Sequence, residues 1–462
     1  MAFCYVCFFT FFSAFEEDIW RSQIFFVTLS AINKKTKNKM NKMDIIVDNQ
    51  FWFSGYFSTV ESSSRTFLKN VDAGRTSWER RVVSEEYKLE MLNVYYPEII
   101  HFYSECNQSF SMPINKDITI GDAETKDLIP IHIDKIQISL LPFNTLIYSI
   151  GMSCAQVNME VMLKVFNQLR QISRYNQQQN IQEFVDTVIV PIRELYKQVT
   201  GRCVEHNYQL VENGNKLKIY QIVTINNELL HSSYADNLLY SLGTLSMNDS
   251  ADHMGSNEEY VQNILTKYKI AVFNNWVALP LLDSMTFMCD EGMKSYVKDS
   301  WRTDYFELIY IYQLYRKIFL YRTNSEFRLR KRPINKIQND LEDFDNHYTY
   351  HFISYNFLPN LLNKVVESSQ EIADEQEEMK NILKRTVQAE TELREKRSNY
   401  FLTFLAIITS FSTIWDLNCL LDAMFNYSTV FTINLLGYRL VTSIILLVIV
   451  LVALFALNSK RK

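Results

Sequence analysis

Glycine and proline are scarce, 10 and 8 residues in a chain of 462, where average usage of the two together is roughly 12%. Their scarcity excludes collagen-like and low-complexity architectures and argues against a turn-dense all-β protein. Charge of one sign does not dominate either: the formal net charge is −5. No global basic excess recruits nucleic acid, and none is expected as a direct partner. The seven cysteines are an odd set spread along the chain, so no secreted disulfide framework is implied. Cys4 and Cys7 form the one close pair, and zinc would need a second. No phosphate-cradling glycine loop and no G-x-S-x-G occurs. The sequence carries no catalytic constellation, and an enzyme is not expected.

What is present is apolar: 47% of residues are hydrophobic, enough to bury a core through most of the chain. Residues 1–43 stand apart. They open without the positive charge that begins a secretory signal, and a basic stretch runs from Lys34 to Lys42. They read as an extension ahead of a native start at Met40 or Met43, the alternative being an interfacial anchor over 1–30. From Met43 the text resembles the first strand of a domain.

Residues 44–335 read as a cytoplasmic domain of mixed α and β structure. Ile131–Ile150 alternates and is broken by Pro142 as a hairpin would be. Residues 217–226 and 270–279 are further strand candidates. Helical patterns cover 158–175, 181–199, 234–245, 260–269, 301–322 and 335–356, with a loop at 247–257. His347 and His351 have the i,i+4 spacing of a helical metal pair but no third ligand, so the metal assignment stays unknown. Arg328, Arg330, Lys331 and Arg332, with Arg322 and Lys336 beside them, form one dense basic patch. It is either a solvated loop or a site for a phosphate-bearing ligand.

The remainder, 336–399, is rich in helix-forming residues and reads as long stalk helices. Asn360–Tyr400 alone would make about 60 Å of helix. A seven-residue comb runs through Val365, Ile372, Met379, Thr386, Leu393 and Tyr400, a single stripe suited to packing in an oligomer. Leu440–Leu457 has no charge, glycine or proline and spans about 27 Å as a helix, close to a bilayer core. Residues 400–421 form a first candidate span and 422–439 an external linker. Arg394, Lys396 and Arg397 precede the first span, and Lys460, Arg461 and Lys462 lie in the tail 458–462. Both basic belts belong on the cytoplasmic side. The expectation is a multi-pass protein of the cell membrane, in contact with lipid, with both termini inside. On the first span Thr409, Thr413 and Asp416 share a face. A carboxylate in a span is tolerated when it faces water or a partner, and a ring of such groups would attract cations. The alternatives are an Asp416 at the outer interface and hydroxyls bonded back to the helix.

This order of parts resembles the CorA family of divalent-cation channels, most closely at Leu402–Trp415 and at the closing Asn458–Lys462. The resemblance implies an α+β cytoplasmic domain, a long stalk helix and two C-terminal transmembrane helices. It also implies a homopentamer with a pore lined by the first span, carrying magnesium-like divalent cations and no bound cofactor. The family's Gly-Met-Asn signature is missing. The nearest text is Ala423-Met424-Phe425-Asn426, which makes Met424 and Asn426 the external-loop candidates. CorA-like proteins without the signature resemble membrane effectors of nucleotide-signalling antiviral systems, and that alternative implies a nucleotide ligand.

Overall fold

A computed structural model of the chain describes residues 45–121, 127–172, 174, 179–212, 216–247, 255–425, 444 and 448. The described residues fall into two compact units. One is drawn from Met1–Arg332 and Asn339–Glu377, the other from Pro333–Gln338 and Glu378–Lys462. Together they form an α+β domain followed by one long helix, Ile372–Phe425. The second candidate span, the external linker from 426 and the basic tail lie outside the described residues, apart from 444 and 448.

The domain is built on a nine-stranded sheet: β1 (Ile45–Ser58), β2 (Glu79–Arg80), β3 (Gln108–Gly121), β4 (Leu128–Leu141), β5 (Thr145–Asn158), β6 (Lys218–Ile225), β7 (Ile270–Phe273), β8 (Trp276–Pro280) and β9 (Ser284–Asp290). Its order is β2-β3-β4-β5-β1-β6-β9-β8-β7. β6 and β9 run parallel; the other neighbours are antiparallel. β1 is central, and its alternation sorts the two faces. Phe51 meets Phe166 of the helix Met159–Arg170, with ring centroids 4.1 Å apart. Trp52 stacks at 5.1 Å on Phe306 of the segment Trp301–Ile311. Both faces are therefore covered by helices, and the core lies in the two layers between.

Local chemistry starts and stops these elements. The β4–β5 hairpin turns at Pro142, with Phe143 and Asn144 both left-handed at φ 55°. Packing offsets the strain at Phe143, whose ring lies 4.9 Å from Phe319. The Asn158 side chain accepts from Glu160 N at 2.9 Å and Val161 N at 3.3 Å, ending β5 and opening a helix. The stretch 270–279 is two short strands joined at a turn, not one. β3 and β9 carry no sequence expectation. β3 holds Pro113 at a register shift, and proline hides a strand from pattern reading.

The Asn360–Tyr400 stretch is not one helix. It breaks between Phe357–Ser369 and Ile372–Phe425, with Glu371 left-handed at φ 55°. Ile372 is fully buried just beyond the break, and that burial offsets a left-handed residue costing roughly 1–2 kcal/mol. The heptad comb is split accordingly: Ile372 and Met379 are buried, while Leu393 and Tyr400 are exposed.

Gly55 is opposite Tyr148 across β1 and β5. A Cβ there would collide with the Tyr148 ring and hydroxyl, and that hydroxyl donates to Leu210 O at 3.0 Å. Gly55→Ala is expected to cost about 1–3 kcal/mol by overpacking, read as a lower urea midpoint. An unchanged midpoint would show that the ring has room to move.

Candidate functional site

The long helix changes character near residue 400. Tyr400, Phe401, Leu402, Phe404, Leu405, Ile408, Phe411, Trp415, Leu417 and Leu420 are all exposed. At about 100° per residue these positions surround the helix. A helix apolar on all sides is not stable against water. Among the described residues this is the one helix long and apolar enough to cross a membrane, by length and composition.

Thr409, Thr413 and Asp416 are exposed along this segment. The hydroxyls bond back to their own helix: Thr409 donates to Leu405 O and Ala406 O, both at 3.0 Å, and Thr413 to Thr409 O at 2.7 Å. Ser410 does the same to Ala406 O at 2.7 Å. Each oxygen keeps lone-pair capacity for a further partner. Arg394, Lys396, Arg397 and Met424 are exposed on the same helix. Asn426, Lys460, Arg461 and Lys462 are outside the described residues.

The basic patch is largely occupied by its own surroundings. Arg322 donates to Phe143 O, to Asn144 O at 3.3 Å and to Thr145 Oγ1 at 3.2 Å, clamping the β4–β5 turn. Arg332 pairs with Glu326 at 3.1 Å and Asp340 at 2.7 Å. Arg328 donates to Asn324 at 2.9 Å. Arg330 and Lys331 are exposed. The histidine pair is not helical, because the helix Ile334–Tyr348 ends before His351. No group of three or more metal-ligating side chains occurs among the described residues.

A different site forms on the Trp52 face of the sheet. Gln50 and Trp52 of β1 lie beside Ser153 and Gly151 of β5, and Ser153 lies beside His132 of β4. β4 slips register between Ile133 and Lys135, so Asp134 and Lys135 are presented at a bulge. Arg302, Thr303 and Glu307 descend from the roof, and Arg81 closes one side. Together they line an open cavity of about 470 Å³. The roof segment Trp301–Ile311 is a π-helix. In an α-helix Arg302 and Glu307 would diverge by roughly 140°; the i→i+5 winding turns them toward one side. Gly151 keeps the floor open, since a Cβ there would sit 3.3 Å from Trp52 Nε1.

The electrostatics are tense. Arg81 pairs with Glu307, whose side chain is 11% exposed. Burial opposes the Arg81 charge, but the Glu307 carboxylate together with Tyr103 and Tyr87 outweighs it and raises the pKa. Beside the cavity on β1, burial pushes the Asp48 carboxyl up, partly countered by Lys298 and Arg302. These residues come from segments far apart in the chain, and no motif marks them. The alternating polar positions Gln50 and Ser54 around Trp52 were the one local sign that this face of β1 is not plain core.

The chain matches no model of a known protein family and none of the curated proteins compared with it.

Proposed function

We infer that the protein is an oligomeric two-span channel or transporter for cations, divalent by resemblance to CorA, with a pore lined by Thr409, Thr413 and Asp416. The observation that carries this reading is the helix itself: apolar side chains exposed on every side, interrupted by one run of hydroxyls ending in a carboxylate. A lone Asp416 facing acyl chains would be costly. Around the axis of a homopentamer it would form an acidic ring offering oxygen ligands to hard cations. On this reading the chain sits in the cell membrane with both termini in the cytoplasm, and it transports rather than catalyses.

Asp416→Asn preserves shape and removes charge. Cation flux into liposomes is expected to fall, or to lose its preference for divalent ions, with oligomer size unchanged. Flux unaltered in rate and selectivity would make Asp416 an interface residue.

A second reading is a membrane effector on the same scaffold, gated by a phosphate-bearing ligand. The cavity on the Trp52 face favours it, because Arg81, Lys135 and Arg302 there line one concave site.

A further inference from the structure

Two buried polar atoms in the cavity roof have no hydrogen-bond partner: Arg302 Nε and Glu307 Oε2. The first is a donor lacking an acceptor; the second belongs to a carboxylate that the Tyr103 hydroxyl already faces. Buried polar groups are normally paired, and each exception calls for an explanation. Both atoms are closed to solvent, so an occupant bringing an anionic acceptor would meet Arg302 through its outer guanidinium nitrogens, on a side chain 35% exposed. Arg81, Lys135 and Arg302 line the cavity with Asp134 and Glu307. Arg81 pairs with Glu307, Lys135 with Asp134 at 3.9 Å and Arg302 with Asp299 at 3.0 Å. Each cation has further N–H groups, of the kind whose charge-assisted bonds suit phosphate.

Three further features converge here. The volume, about 470 Å³, falls in the range of small-molecule sites. The roof is a π-helix and the floor holds a β-bulge, two irregularities that recur beside functional sites. Gln50 and Gln137 add amides able to both donate and accept. We propose that this cavity binds a phosphorylated small molecule of mononucleotide size, with its phosphate facing Arg302, Arg81 and Lys135. The proposal would supply the sensor of the ligand-gated reading, and it holds whether or not the membrane helix conducts.

The test is calorimetric titration of the full chain in detergent micelles with AMP, alongside adenosine and inorganic phosphate. AMP is expected to bind saturably and adenosine far more weakly. Arg302→Gln should weaken AMP binding about tenfold or more, the size of one charge-assisted hydrogen bond. Arg302 is preferred to Arg81 because its ion pair with Asp299 is at the surface, and Lys298 still faces the half-buried Asp48 when Arg302 is lost. Gly151→Ala narrows the floor without changing charge and should also weaken binding, while Lys364→Gln should not. Circular dichroism and elution volume report on folding. No saturable binding of AMP up to millimolar concentration would overturn the proposal. So would full affinity in Arg302→Gln, or equal affinity for adenosine. Loss of binding in Arg330→Gln with Lys331→Gln, but not in Arg302→Gln, would overturn it by moving the ligand to the loop.

Discussion

Glu367→Leu alone is expected to destabilise the α+β domain by about 3–5 kcal/mol, because it leaves Arg316 charged and buried without its counter-ion. The Arg316 side chain is 2% exposed, and its Nη1 lies 2.7 Å from Glu367 Oε1. Gln313 Oε1 at 3.1 Å and Gln376 Oε1 at 3.2 Å take further donors, and the Tyr312 ring lies beneath at 5.8 Å. The network extends through Gln313 to Asn363 at 2.6 Å and through Gln376 to Asp345. It ties the helix Tyr312–Arg328 to residues on both sides of the break at Glu371. Arg316→Met combined with Glu367→Leu should cost less than Glu367→Leu alone, since an apolar pair of similar volume leaves no orphaned charge. Urea unfolding followed by tryptophan fluorescence measures both. A double variant as unstable as the sum of the singles would show that the pair is not coupled.

The second large effect is on partitioning. The full chain should remain in the membrane fraction after alkaline carbonate washing, and a chain stopped after Arg397 should be released. The physical reason is the exposed apolar circumference from Phe401 to Leu420, where each buried CH₂ contributes about 0.8 kcal/mol. A graded version uses the chain stopped after Leu421. There Leu405→Asp with Ile408→Asp places two carboxylates in the span at about 2.5–3.5 kcal/mol each on insertion scales. That variant should be extracted while its parent is retained. Retention of the chain stopped after Arg397, or release of the full chain, would remove the membrane reading of this helix.

The legible parts of this protein were those whose signal is local. The hairpin of β4 and β5 shows in the alternation on either side of Pro142. The opening strand shows from Met43 onward, and the helix Met159–Arg170 follows a capping Asn158. The stalk was legible only in part. Composition declares Asn360–Tyr400 helical but does not place the break, because Gln370 and Glu371 are acceptable helix residues. What places it is the burial of Gln370 and Ile372. The basic patch shows the opposite failure. Its arginines are adjacent in sequence, yet Arg322 reaches the turn at Phe143 and Arg332 reaches Glu326 and Asp340.

By itself the sequence determined that residues near 400–421 suit a bilayer, because length and apolarity are properties of one contiguous stretch. It determined the alternation of β1 and the hydroxyl–carboxylate run Thr409, Thr413 and Asp416, because helix and strand periods are fixed by the backbone. Only the tertiary structure decided the cavity. Arg81, Lys135 and Arg302 are far apart in the chain, and they meet because β1 pairs with both β5 and β6 while a π-helix packs across that face. The π winding that turns Arg302 and Glu307 to the same side is itself a consequence of packing. In the sequence Trp301–Arg322 reads as an ordinary amphipathic helix, whereas in the fold Trp301 is held against Phe287 at 4.7 Å and Phe306 against Trp52. Contacts between strands and helices so distant in the chain leave no periodic trace, which is why a site made of them becomes visible only once the sheet has formed.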